Sequence, residues 1–147
     1  MRETLDRAVQ KSEISQTYAS GCMNISVALF EVMTEECGTT PTLLLIERPS
    51  KIQSTVDHFV LANGWFSPGE WANIETYSDS QKTWYIDSKG VRNSIKPILE
   101  DLYGENNTET IRKAGIFKKN NIDRAKKHPQ YDRAIKNDFK SNIIKHL

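Results

Sequence analysis

Cys22, His58 and Asp87 are side chains of the types that together activate a nucleophile, and they follow one another as sulfur, imidazole and carboxylate along the chain. The thiolate is the reactive form of cysteine. The first turn of a helix favours it, because unpaired backbone N–H groups and the helix dipole stabilise negative charge there. Cys22 stands at the head of the apolar helical run CMNISVALFEVM. An imidazole can give one ring nitrogen to a sulfur and the other to an acceptor, and His58 opens the strand-like stretch HFVLAN. Asp87 ends TWYID, where a carboxylate can take the outer imidazole proton, fix the tautomer and stabilise the imidazolium. Each residue also has a structural reading. Cysteine is a common core residue, a histidine can be satisfied at a sheet edge, and an Asp before SKG can bond to its own turn backbone.

The elements that must position these groups are legible as patterns. Residues 3 to 14 carry Leu5, Ala8 and Val9 at helical spacing. After Ser20 and Gly21 a second helix is expected, with Ile25, Ala28, Leu29, Val32 and Met33 on its inner face and Gly38 at its exit. TLLLIE, Thr42 to Glu47, reads as a strand buried on both faces, His58 to Asn63 as a second strand and Thr83 to Ile86 as a third. Residues 65 to 81 give no clear pattern beyond the Pro68-Gly69 turn. Past Gly90 the periodicity turns helical, with segments around Ile95 to Leu102, Thr108 to Phe117, and Ile122 to about Ile144, the last interrupted by Pro129. The fold class is therefore α+β, a helix carrying the cysteine packed on a small antiparallel sheet, with extra C-terminal helices.

A helix-starting cysteine, a histidine opening a later strand and an Asp ending the next strand resemble the papain-like cysteine hydrolases. The resemblance implies Cys22 as nucleophile, His58 as acid and base, Asp87 as orienting group, and Gln16, six residues before the cysteine, as a side-chain donor to the oxyanion. It covers residues 14–92. Met23 stands where papain-type proteases commonly have tryptophan, and the short Cys-to-His interval is closer to compact bacterial, phage or effector amidohydrolases. The implied activity is hydrolysis of an amide or peptide bond in a protein or peptide-like substrate, as protease, deamidase or amidase. Trp65, Phe66 and Trp71, in the glycine-punctuated stretch NGWFSPGEW, either wall a substrate cleft or cap the end of the core.

The chain of 147 residues fits one domain, 1–147, with 14–92 as the catalytic core and 93–147 as a helical basic C-terminal extension. Residues 1–110 hold nine Lys/Arg against sixteen Asp/Glu, whereas residues 111–147 hold eleven against three. A non-enzymatic alternative follows: a binding protein whose basic helices engage nucleic acid or an acidic protein partner, with Phe117 and Tyr131 as stacking groups. Plain packing by Ile111, Ala114, Ile122, Ala125 and Ile135 is the other reading of those helices. Absence of CxxC, HExxH and a phosphate-cradling glycine loop leaves no cofactor or metal expected. No apolar run reaches the roughly 20 residues of a membrane span, and no secretory signal is apparent, so a cytoplasmic protein is expected, with delivery elsewhere only by a non-classical route. Cys22 and Cys37, about 22 Å apart on a straight helix, are expected to be free thiols.

Overall fold

The computed structural model describes residues 1–13, 22–48, 55–64, 71–73, 83–119 and 122–147. Strands β1 (Thr42–Arg48), β2 (Thr55–Asn63), β3 (Trp71–Asn73), β4 (Trp84–Asp87), β5 (Gly90–Arg92) and β6 (Gly115–Lys119) form one sheet in the order β3-β6-β1-β2-β4-β5. Every pairing in it is antiparallel. Helices α1 (Arg2–Ser12), α2 (Cys22–Glu35), α3 (Lys96–Tyr103), α4 (Thr108–Lys113), α5 (Ile122–Ala125) and α6 (Arg133–Lys145) complete the described elements. The molecule is thus a mixed α+β fold with an antiparallel sheet and C-terminal helices.

Leu43, Leu44, Leu45 and Ile46 are all buried, because β1 is central and covered on both faces. Its pleat divides them. Leu43 and Leu45 join Phe59, Leu61, Trp84 and Ile86 in a core against α1, α2 and α6, while Leu44 and Ile46 join Val60, Tyr85 and Ile116 in a second core against Ile98 and Leu99 of α3. Helix α2 contributes Ile25, Val27, Ala28, Leu29, Val32 and Met33 to the first core. Full burial of a side chain such as Leu29 is worth about 2 kcal/mol, so the helix carrying Cys22 is held by packing along its length. It ends as its sequence suggests: Gly38 takes φ +67°, and the Thr39 N–H donates to the Met33 carbonyl at 3.0 Å.

The structure corrects the sequence expectation in two elements. Thr108 to Phe117 is not one helix: α4 stops at Lys113, Ala114 is extended, and Gly115–Lys119 is strand β6. A central strand buried on both faces must pair both edges of its backbone, and β6 supplies the second partner of β1, with Leu45 opposite Phe117 and Ile46 opposite Ile116. Ile116 then falls in one core and Phe117 against the other, a two-residue alternation that a helical reading mistakes for a short apolar run. Likewise β5 forms a hairpin with β4 where the chain was expected to turn directly into helix. The C-terminal stretch therefore supplies part of the sheet as well as helices.

Helix α6 is locked onto α2 by charge. The Lys136 ammonium, nearly buried, donates to both oxygens of Glu31 at 2.7 and 3.0 Å, and Lys140 reaches Glu31 at 3.2 Å and Glu35 at 2.6 Å. Among the described residues no helix is long and apolar enough to cross a membrane. Cys22 and Cys37 are both free thiols. Glu31→Ala strips Lys136 of its principal counter-ion and should destabilise the protein by about 3 kcal/mol in urea unfolding. Combining it with Lys136→Met should recover most of that loss, and a double variant as weak as the single one would refute the assignment.

Candidate active site

Cys22 is the first residue of α2, and His58 lies in β2 where the pairing with β1 is about to shift. Ile46 faces His58, but the next residue of β1, Glu47, faces Val56, so β2 carries one extra residue at Asp57. Such a bulge bends a strand and re-aims the neighbouring side chain. The β2 to β4 ladder covers Leu61, Ala62 and Asn63 on one strand and Trp84, Tyr85 and Ile86 on the other. At Phe59 the backbone N–H donates instead to the Cys22 sulfur, which also receives the N–H of Met23 from the helix's first turn. The helix that begins with Cys22 thus meets the sheet where β4 gives way to a turn.

His58 and Asp87 share one face by the pleat, the face of Val60 and Tyr85. The His58 Nε2 lies 2.9 Å from Asp87 Oδ2. The remaining ring nitrogen, Nδ1, is the one left for Cys22, with which His58 shares a hydrogen bond. The other carboxylate oxygen of Asp87 accepts the Lys89 N–H at 2.9 Å. Asp87 therefore closes its own turn and also bonds the imidazole. Its own turn fixes one oxygen and leaves the second aimed at the ring.

The electrostatics follow from this contact order. Burial pushes the Cys22 thiol up, but the hydrogen bond and charge of His58, with the N–H groups of Phe59 and Met23, outweigh it and leave the thiol below its ordinary value. Burial works against the charged form of His58 too; the Asp87 and Cys22 contacts overcome it and raise the imidazole from 6.5 to about 9. Both shifts favour a thiolate beside an imidazolium. Cys37 differs: burial pushes its thiol up, aided by the charge of Glu36.

Two clamps hold the halves of this arrangement. On the Asp87 side, α1 grips the β4–β5 turn: Gln10 Nε2 donates to the Lys89 carbonyl at 2.6 Å and Asp6 Oδ1 accepts the Val91 N–H at 2.8 Å. Gly90, at φ +104°, lies under these side chains, and a Cβ there would collide with Asp6 Oδ1 and come within 2.6 Å of Gln10 Nε2. On the Cys22 side, buried Asn24 accepts the Asp132 N–H at 2.7 Å through Oδ1 and donates to the Gln130 carbonyl at 3.3 Å through Nδ2. Asp132 in turn caps α6, accepting the N–H groups of Ala134 and Ile135. A cavity of about 110 Å³ opens beside His58 and Asp87 and is walled by Lys89, Ile98, Asp101 and Leu102.

The chain matches no family model, no curated protein and no solved structure.

Of the residues singled out in the sequence, Cys22, His58 and Asp87 come together, whereas Gln16, Trp65 and Phe66 lie outside the described residues and Trp71 is placed only as the first residue of β3. Phe117 and Tyr131, named as stacking groups, pack against the first core, as do Ile122, Ala125 and Ile135, while Ile111 and Ala114 enter the second. Among the described residues no group of three or more His, Cys, Asp or Glu could hold a metal ion. Asn24, Asp6 and Gln10 carried no signal in the sequence, because their partners lie 79 to 108 residues away. Gly90→Ala should cost about 2 kcal/mol or more in thermal unfolding, through backbone strain and lost room. It should also slow Cys22 alkylation by displacing the Asp87 turn. An unchanged alkylation rate in a destabilised protein would show that the turn does not position the site.

Proposed function

We propose that this protein is a cysteine hydrolase acting on an amide or peptide bond, with Cys22, His58 and Asp87 in a papain-like division of labour. The observation that carries the reading is the His58 ring held 2.9 Å from Asp87 Oδ2 and close enough to Cys22 to lower its thiol. A core-filling cysteine needs no histidine so placed, and a histidine satisfied at a sheet edge needs no thiol.

In the proposed reaction the Cys22 thiolate attacks the substrate carbonyl carbon, and the carbonyl electron pair moves to oxygen. The Cys22 backbone N–H, among the first N–H groups of α2 and without an intrahelical acceptor, donates to that oxyanion, with Gln16 as the side-chain donor implied by the family resemblance. The His58 imidazolium gives its Nδ1 proton to the departing nitrogen as the C–N bond breaks, which leaves a thioester on Cys22 and a neutral imidazole. Water then attacks the thioester while His58 takes its proton, the C–S bond breaks, the acid product leaves and the Cys22 thiolate beside protonated His58 is restored. Throughout, Asp87 holds the ring by Nε2 and balances its charge; general acid–base catalysis of this kind contributes roughly 10²–10⁴-fold. A leaving ammonia would make the reaction a deamidation, and a leaving peptide amine would make it proteolysis.

The pH dependence gives the test. Iodoacetamide should alkylate Cys22 well below the pH at which Cys37 reacts, and His58→Ala should return Cys22 toward ordinary thiol behaviour. Amide turnover should rise as Cys22 ionises and fall as pH climbs through about 9, where His58 loses the proton needed by the leaving group. Alkylation should not fall on that limb, since the thiolate persists. Stability carries the same signature with the sign worked through: the raised His58 pKa contributes fully below 6.5 and its contribution is lost as pH rises through about 9. Equal, slow labelling of both cysteines across this range would end the hydrolase reading.

A further inference from the structure

We infer that the hydrogen-bonded basic turn of residues 122–130 is a docking surface for an acidic segment of the polypeptide substrate; this deepens the hydrolase reading and rests on it. The turn lies beside the nucleophile. The His128 ring meets the Phe59 ring edge-on with centroids 6.0 Å apart, and Phe59 is the residue whose N–H reaches the Cys22 sulfur. Ala125 is buried in the core that also contains Met23 and Phe59, and Asn24 of the same helix start binds the Gln130 carbonyl and the Asp132 N–H.

The turn is built and not a loose basic tail. Lys126 N–H donates to the Ile122 carbonyl, Lys127 N–H to Arg124, His128 N–H to Ala125 and Tyr131 N–H to His128, while the Gln130 N–H donates to His128 Nδ1 at 3.1 Å. Burial of Ala125 on one side leaves Arg124, Lys126 and Lys127 exposed on the other. Asp123 is the only carboxylate in the stretch IDRAKKH, so the turn is net positive. Asp132, the next carboxylate along the chain, is occupied in capping α6. Lys89, about half exposed, adds a cation at the His58 side, where it shares Asp101 with Arg92.

An acidic polypeptide suits this surface better than a nucleic acid. Strong phosphate binding draws on roughly six to ten cationic contacts, more than the turn offers, and single strands add stacking on exposed aromatic rings. Tyr131 and Phe117 are half-buried against the core, and His128 is held against Phe59. What remains is short-range charge complementarity next to a nucleophile, an arrangement that raises encounter rate and orients a partner.

The test compares two thiol-directed peptides, chloroacetyl-tetraglutamate amide and chloroacetyl-tetraglycine amide, whose chloride the Cys22 thiolate displaces to form an S–C bond. At low ionic strength the acidic peptide should label Cys22 about tenfold faster than the neutral one, with the ratio shrinking as salt is added. The ratio should collapse in the Lys126→Glu/Lys127→Glu protein and persist in Lys145→Glu, at the opposite end of α6. Equal rates for the two peptides, with normal labelling by the neutral one, would overturn the docking surface and leave the nucleophile intact. No labelling by either would overturn the hydrolase reading and this inference with it. Suppression of the acidic advantage by a submicromolar single-stranded oligonucleotide would reassign the turn to nucleic acid.

Discussion

Everything at the candidate site depends on how Asp87 divides its two oxygens. One is spent on the N–H of Lys89, closing the turn after β4, and the other reaches the ring of His58 at 2.9 Å. A carboxylate bonded only to a ring could swing with it. Here the backbone turn fixes the carboxylate plane, and the carboxylate fixes the imidazole, so the nitrogen facing the sulfur is determined by the end of a strand. Removing water from this cluster would by itself return cysteine and histidine to their neutral forms. The donor and acceptor contacts reverse that preference for both groups.

Such an arrangement has parts on different layers of the fold, which is why two clamps are needed. The sulfur belongs to a helix packed on one face of the sheet, whereas the ring and carboxylate project from the opposite face near its edge. The bulge at Asp57 and the turn at Ser88 let them meet around that edge. Helix α1 fastens the turn through Asp6 and Gln10, and the segment before α6 fastens the helix start through Asn24. The ion pairs of Glu31 with Lys136 and Lys140 then prevent α2 from sliding along its own axis.

The sequence made the local parts legible. Cys22 at a helix start, the apolar face of that helix, the twice-buried TLLLIE and the Asp after TWYI were readable because each depends on spacing within a few residues. Strand β6 was not, since GIFKK is too short for its alternation to outweigh the helical signal before it, and its strand state is imposed by the open edge of β1. Hairpin β4–β5 escaped for a similar reason: GVR is short, and Gly90 reads as a simple turn residue until α1 is seen lying across it. Nor could spacing announce Asn24 or Gln10, ordinary polar residues whose partners are remote in the chain. Lys136 looked like one more charge on a basic helix and is in fact nearly buried.

The late position of β6 has a consequence for synthesis. Strand β1 is complete by residue 48, yet its second edge waits for residues 115–119, and the grip on Asn24 waits for Gln130 and Asp132. Contacts of such long separation form slowly, because the intervening chain must first lose its freedom. On the ribosome, the nascent helix bearing the thiol therefore spends most of elongation without the Gln130 and Asp132 contacts that fasten its start, and the sheet it packs on is still missing one strand.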